Sequence, residues 1–142
     1  RLVEVVDGLL GVSLPVVLPA HPRTVAALHE HGLYERASAC LHLCDPLGYL
    51  DFVRLVETAA RVATDSGGVQ KEAFYLDTPC VTMRDETEWT ETVDAGWNVL
   101  AGADPAAIRR ELRRPFDTAA KPDLYGDGTA AERIVRQLAD VV

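Results

Sequence analysis

Residues 64–72 have the sequence TDSGGVQKE, which joins an apolar run predicted to be a strand to a segment predicted to be a helix. A serine directly before a helix can cap it through its hydroxyl, and two glycines let the backbone approach a ligand closely. Unpaired amides at a helix start, together with the helix dipole, favour a negatively charged group. The stretch is not a Walker motif, and it predicts either an ordinary capped turn or a phosphate-binding turn.

Outward from this turn, apolar segments with helical spacing alternate with short apolar runs along the whole chain. The predicted strands are 16–18, 39–44, 61–64, 79–83 and 98–101. The predicted helices are 1–10, 24–31, 49–60, 69–76, 105–113 and 129–142, with a loose connection over 114–123. Such alternation is typical of a parallel sheet covered by helices on both faces, so the predicted fold class is α/β.

The chain has 142 residues, enough for one compact domain, and 48% of them are hydrophobic. It carries 14 lysines and arginines against 22 aspartates and glutamates, a net charge of −8. Because neutralising phosphates requires a surplus of cations, this charge argues against nucleic-acid binding. The longest apolar stretch, residues 9–20, is interrupted by Ser13, Pro15 and Pro19 and is too short to span a membrane. Neither nucleic acid nor membrane is expected as a partner.

The cysteines and the start of the chain indicate its compartment. Three cysteines do not suggest a disulfide framework, which favours a reducing cytoplasm. Cys40, His42 and Cys44 alternate in a predicted strand and would face one side of it, but a metal site would need a fourth ligand. Buried thiols are therefore preferred, and no metal is predicted. The chain begins with Arg1, so we expect it to be truncated on its N-terminal side.

Further candidate residues follow the predicted strands. Arg84 comes after the fourth strand and would stand at the same sheet edge as Ser66, ready to meet an anion or paired with neighbouring acidic residues. Glu72, one turn into its helix, can accept hydrogen bonds from sugar hydroxyls. His21 follows the first strand, where a histidine is more often structural than ligand-lining. Residues 125–130 suit a tight turn and a binding loop equally well.

No complete catalytic set is recognisable in the sequence. It contains no Gly-x-Ser-x-Gly elbow, no His-Glu-x-x-His and no pair of Cys-x-x-Cys motifs. We also expect Leu50, Val53 and Val56 to mark the inner face of the helix 49–60. The spacing of polar residues therefore supports a binding half rather than a whole active site.

Six stretches along nearly the whole chain carry a family resemblance. They are HPRT (21–24), DPLGYLDF (45–52), TDSGGVQKEA (64–73), RDETEW (84–89), AGWN (95–98) and YGDG (125–128). The combination of Asp-Ser-Gly-Gly-x-Gln-x-Glu with Arg-x-x-Thr-Glu is quite specific. With these motifs the chain resembles the C-terminal half of the non-hydrolysing UDP-N-acetylglucosamine 2-epimerases.

The resemblance implies a three-layer, Rossmann-like domain over residues 1–142, the C-terminal half of a glycosyltransferase-B-type fold with UDP-sugar between its halves. It implies an isomerase that interconverts UDP-N-acetylglucosamine (UDP-GlcNAc) and UDP-N-acetylmannosamine (UDP-ManNAc) by eliminating and re-adding UDP, without an added cofactor. A homodimer is implied for the full-length enzyme, with a role in supplying precursors of cell-surface polysaccharides.

The resemblance also implies roles for individual residues. Phe52 matches a residue near the uracil, Glu72 a carboxylate that holds the ribose hydroxyls, and Arg84 an arginine near the diphosphate. The diphosphate-binding loop is matched by Ser66, Gly67 and Gly68. His21 matches a family histidine, which we do not take to be catalytic.

Two departures from the family pattern limit what the resemblance implies. Residues 87–91 are Thr-Glu-Trp-Thr-Glu where many members have Thr-Glu-Arg-Pro-Glu, so the sugar can be another acetamido hexose or a diacetamido uronic acid. The family's catalytic carboxylates belong to the N-terminal half, so no catalytic residue is named in this chain, and the chain alone is expected to be inactive. A glycosyltransferase donor domain and a binding domain without activity remain as alternatives.

Overall fold

The computed structural model describes residues 1–117 and 121–140 as a series of helices and short strands. In chain order they are α1 (Leu2–Leu10), β1 (Val17–Pro19), α2 (Pro22–Glu30), α3 (Tyr34–Cys40), β2 (His42–Cys44), α4 (Tyr49–Thr58), β3 (Val62–Thr64), α5 (Gly67–Tyr75), β4 (Cys80–Thr82), α6 (Thr90–Asp94), β5 (Asn98–Leu100), α7 (Pro105–Arg113) and α8 (Ala130–Ala139). Within these residues, no helix is long and apolar enough to cross a membrane.

The strands form two parallel sheets, which confirms the predicted α/β class. β1 pairs with β2, with Leu18 opposite Leu43. The second sheet has the order β3-β4-β5, with Ala63, Val81 and Val99 in register. Because parallel strands run in one direction, the carboxyl ends of β3, β4 and β5 lie at one edge. That edge receives the predicted candidate residues after β3 and β4.

One apolar cluster joins the two sheets to the helices that cover them. Leu28 of α2, Ala37 of α3, Val81 of β4 and Ile108 of α7 are fully or almost fully buried in it. α1 crosses α7 closely at Gly8, where a Cβ would lie 3.0 Å from the Ile108 side chain. This common core holds the polar edge of the second sheet in place.

A smaller apolar cluster lies between α4, α5 and β4. Val56 is buried there, and Phe52, one turn earlier on α4, packs against the cluster. Leu50, predicted to face inwards, is 80% exposed. The prediction is wrong because the inner face of α4 carries Phe52 and Val56, which are four residues apart. Leu50 lies only two residues before Phe52 and therefore points away from that face.

The predicted strand 39–44 is partly wrong. Residues up to Cys40 form α3, and only His42–Cys44 pair as β2. Cys40 and Cys44 are exposed rather than buried, whereas Cys80 is buried. Burial raises the pKa of the Cys80 thiol to about 12. Cys40, His42 and Cys44 therefore do not line one face of a strand, because Cys40 still belongs to the helix.

Candidate functional site

α5 begins directly after β3 with a turn that keeps its first amides open. The Ser66 amide donates to the Thr64 hydroxyl (3.1 Å), which closes the turn. Ser66 precedes the helix as predicted, but its hydroxyl makes no capping hydrogen bond, so that part of the prediction is wrong. Within residues 1–117 and 121–140, no acceptor is bonded to the amides of Gly67 and Gly68. The start of α5 therefore offers unpaired donors at the positive end of a helix dipole.

The loop after β4 folds back over the start of α5 and is fixed to it at two points. The Trp89 indole nitrogen donates to the Gly67 carbonyl oxygen (2.7 Å). The Thr87 hydroxyl donates to Gln70 Oε1 (2.6 Å) and accepts from the Trp89 amide (3.1 Å). These bonds place the loop beside the open amides of α5.

Arg84 lies in this loop and is paired with Glu88. Arg84 Nη1 lies 3.1 Å from Glu88 Oε2, and both side chains remain partly exposed. The Glu88 carboxylate in turn rests on Gly67, where any Cβ would collide with Glu88 Oε1. Gly67 is therefore required for this close approach. Of the acidic neighbours of Arg84 in the sequence, Glu88 is the one that the structure shows as its ion-pair partner.

A buried polar network fixes the inner side of α5 to the sheet. Asn98 of β5 donates to Gln70 Oε1 (3.1 Å) and accepts from the Thr82 hydroxyl (2.7 Å). Gln70, Thr82 and Asn98 are each at most 2% exposed. Buried polar groups with such partners specify one packing arrangement. This network was not predicted, although the polar residues Thr82 and Asn98 in the apolar runs of β4 and β5 are its signal in the sequence.

An aromatic cluster covers the outer side of α5. The Lys71 ammonium lies 4.4 Å from the centre of a Trp89 ring and 4.5 Å from that of Tyr125, within cation–π distance. The Tyr125 hydroxyl donates to Glu91 (2.9 Å). Burial, together with this hydrogen bond, raises the pKa of Tyr125 above its ordinary value. The Trp89 ring is thus in contact with Lys71 of α5 and with Tyr125, in addition to its hydrogen bond to Gly67.

The segment that follows Tyr125 forms a tight turn, one of the two alternatives left open by the sequence. Asp127 accepts hydrogen bonds from both the amide and the hydroxyl of Thr129 (3.1 and 2.6 Å). These bonds lower the pKa of Asp127, the hydroxyl contributing most. Gly126 and Gly128 have φ angles of 80° and 81°, which a residue with a side chain rarely adopts.

The other candidate residues, Glu72, Phe52 and His21, lie outside the turn at the start of α5. Glu72 is partly buried one turn further along α5. Phe52 is partly buried between α4 and α5. His21 belongs to the β1–α2 turn, where its Nδ1 accepts a hydrogen bond from the Arg23 amide (3.2 Å). Within the residues that the structure describes, no group of three or more His, Cys, Asp or Glu side chains is arranged to hold a metal.

Comparison with known proteins gives consistent matches over the whole chain. The family model described as UDP-N-acetylglucosamine 2-epimerase matches residues 1–139. A UDP-2,3-diacetamido-2,3-dideoxy-D-glucuronate 2-epimerase from Pseudomonas aeruginosa is 44% identical over 98% of this chain and 40% of its own length. A UDP-N-acetylglucosamine 2-epimerase from Methanocaldococcus jannaschii is 34% identical over 97% of this chain and 40% of its own length.

Solved structures agree with these sequence matches. The M. jannaschii UDP-GlcNAc 2-epimerase in complex with UDP-GlcNAc and UDP superposes with a TM-score of 0.88 at 34% identity, over 99% of this chain and 41% of that one. The Neisseria meningitidis UDP-GlcNAc 2-epimerase bound to UDP-GlcNAc gives 0.76 at 28% identity, over 96% and 40%. The chain thus spans about two fifths of the length of the relatives that it matches.

Proposed function

Because the chain belongs to the UDP-N-acetylglucosamine 2-epimerase family, we propose that it forms the UDP-binding half of such an enzyme. The observation that carries the proposal is the open first turn of α5, with Arg84 beside it. Unpaired amides at a helix start favour a diphosphate, and an arginine adds a fixed positive charge. The overall charge of −8 is compatible with this, because the site uses backbone amides rather than a basic surface.

The proposal gives each candidate residue a part in holding UDP. The diphosphate lies at the first turn of α5, against Ser66, Gly67 and Gly68. Arg84 contributes its guanidinium to the diphosphate. Glu72, one turn further along α5, accepts hydrogen bonds from the ribose, and Phe52 lies near the uracil. His21, in the turn that follows β1 of the other sheet, is at most a lining residue.

The proposed reaction inverts C2 of the sugar by elimination and re-addition. A base removes the C2 proton, the C2–H electron pair forms a C1=C2 double bond, and the C1–O bond breaks with its electron pair leaving on the UDP oxygen. A proton then returns to C2 on the opposite face, and the UDP oxygen adds back to C1. Donors fixed at α5 stabilise the charge that develops on UDP. They also keep UDP beside the unsaturated sugar, so that re-addition competes with escape.

Other parts of the proposal concern the whole enzyme, of which this chain resembles about two fifths. We propose that the groups that move protons at C2 belong to the remaining part, that the enzyme is a cytoplasmic homodimer, and that it supplies cell-surface polysaccharide precursors. The substrate is a UDP-acetamido sugar: UDP-GlcNAc, or a diacetamido uronic acid of the kind named for the 44% identical relative. Trp89, which stands where many family members have arginine, is compatible with a subgroup of the family that acts on a different acetamido sugar.

Titration of UDP into the chain by isothermal calorimetry tests the binding site. Glu72→Ala is expected to weaken UDP binding by about tenfold, because a hydrogen bond to a charged group contributes about 1.5–3 kcal/mol. Pyrophosphate, which lacks the ribose, is expected to bind both forms equally. Glu35→Ala, which removes an exposed carboxylate from α3, is the matched control. An absence of UDP binding, or equal affinities for UDP, would contradict the proposal.

The full-length enzyme separates epimerisation from the glycosyltransferase alternative. In deuterated water, an epimerase incorporates deuterium at C2 of its UDP-sugar, whereas a glycosyltransferase transfers the sugar to an added acceptor. The relatives named above are epimerases, and this supports the first outcome.

A further inference from the structure

A negatively charged side chain already occupies the start of α5. The Glu88 carboxylate rests against Gly67, the first residue of the helix, and is half-exposed. Its other oxygen accepts a hydrogen bond from Arg84 Nη1 (3.1 Å). A carboxylate is favoured at this end of a helix for the same reason as a phosphate, because both are attracted by the dipole and the amides.

Glu88 therefore lies next to the position that the proposed function assigns to the diphosphate and holds the same arginine, without bonding the amides of Gly67 and Gly68. In the described structure, the ion-pair partner of Arg84 is Glu88. A diphosphate at Gly67 and Gly68 would lie beside the same carboxylate and be repelled by it. Arg84 would then have to leave Glu88 to bind the phosphate.

The residues on either side of Glu88 are anchored to α5 by their own side-chain hydrogen bonds, whereas the Glu88 side chain is held by its partly exposed ion pair with Arg84. Thr87 is bonded to Gln70 and Trp89 to Gly67, at 2.6 and 2.7 Å. The pair of Arg84 and Glu88 is 34% and 49% exposed, so both groups can exchange their partner for water at low cost. A rotation of the Glu88 side chain would therefore move its carboxylate away from Gly67 and Arg84 while the bonds of Thr87 and Trp89 to α5 remain.

We propose that Glu88 is an internal competitor for the diphosphate group of UDP. In the ligand-free chain its carboxylate lies against Gly67, beside the open amides of α5, and holds Arg84. When a nucleoside diphosphate binds, the Glu88 side chain turns away and Arg84 passes from the carboxylate to the phosphate. This inference rests on the proposed function. It assigns to Glu88 a role that weakens UDP binding, whereas the residues named under the proposed function strengthen it.

The proposal is tested by calorimetric titration of UDP and of uridine into the chain and its variants. Glu88→Gln removes the competing charge at nearly constant size and is expected to tighten UDP binding by about threefold to fivefold, the range of a partly exposed ion pair. Uridine, which has no phosphate, is expected to bind unchanged. Glu88→Ala is a second variant with the same expected direction.

Glu86→Gln is the matched control, because Glu86 is an exposed carboxylate in the same loop. It changes the net charge equally and is expected to alter UDP affinity by less than about twofold, as a screened surface charge. Equal or weaker UDP binding by Glu88→Gln, or an equal gain with uridine, would overturn the role of Glu88 while UDP binding by the unaltered chain stands. Failure of the unaltered chain and Glu88→Gln alike to bind UDP would instead refute the proposed function, and this inference with it.

Discussion

The starts of α2 and α5 each follow a parallel strand, but they differ in what happens to their first amides. At α2, the His21 imidazole accepts a hydrogen bond from the Arg23 amide, and Pro22 has no N–H to offer. At α5, no acceptor within the described residues is bonded to the amides of Gly67 and Gly68. A strand-to-helix turn alone is therefore not an anion site, because its amides must also remain unpaired.

The two turns also differ in how they are supported. The start of α2 is exposed, whereas α5 is bonded to the loop after β4 and to the buried Asn98 of β5. Donors that are held in place before a ligand arrives lose little free energy when they bind it. The start of α5 thus differs from that of α2 in two features, its open amides and its fixed position, and each of them can be altered separately.

The largest effect is expected when the support of α5 is removed. Asn98→Ala leaves the buried Thr82 hydroxyl without its acceptor and removes one of the two donors to Gln70 Oε1, which is expected to lower the free energy of unfolding by about 2–4 kcal/mol. Denaturation in urea measures this change. His42→Ala, which alters an exposed polar residue in a strand of the other sheet, is expected to cost less than about 0.5 kcal/mol. Similar losses of unfolding free energy for Asn98→Ala and His42→Ala would contradict the view that α5 has a buried support.

Much of the fold could be predicted from the sequence because most elements carry a local pattern. α7 begins and ends at the predicted residues 105 and 113, with Asp104 capping it, and β3 to β5 lie within the predicted runs. α3 was missed because only Ala37 of its seven residues is buried, which leaves no periodic apolar face. α6 has five residues, too few to show a helical period.

The site was predictable only as far as local sequence determines it. The turn before α5 and the position of Arg84 after β4 follow from the order of strands and helices. The choice of Glu88 as the partner of Arg84 depends on the path of the loop, which places Glu88 on Gly67. The bond from Trp89 to Gly67 joins residues 22 positions apart, and no spacing rule predicts it.

A smaller effect is expected when the positive charge is removed from each turn in separate variants. Arg84→Ala is expected to weaken UDP binding by about tenfold or more, because a charge-assisted hydrogen bond to phosphate contributes about 1.5–3 kcal/mol. Arg23→Ala removes the corresponding arginine at the start of α2 and is expected to leave the affinity unchanged. Calorimetric titration of UDP compares them. Equal losses of UDP affinity would mean that the two arginines act only through long-range charge. They would contradict the placement of the diphosphate at α5.

The smallest effect separates the stability of α5 from its binding of UDP. Gly68 lies in the helix with open space beside it, and a Cβ there would meet only Ser66 Oγ, at 3.9 Å. Gly68→Ala is therefore expected to raise the free energy of unfolding by about 0.5–1 kcal/mol, since alanine loses less conformational entropy. Gly32→Ala, after α2, is expected to lower it, because Gly32 has a φ of 63°.

The same Gly68→Ala variant is expected to bind UDP more weakly, because its methyl group takes space beside the amides that the diphosphate needs. Opposite signs for stability and affinity are the consequence of a helix start left open for a ligand. At α2, where the amides are already capped or absent, no substitution is expected to produce such a pair of opposite changes. Urea denaturation and UDP titration of the same preparation measure both, and a parallel rise in stability and affinity would contradict the open first turn as the binding element.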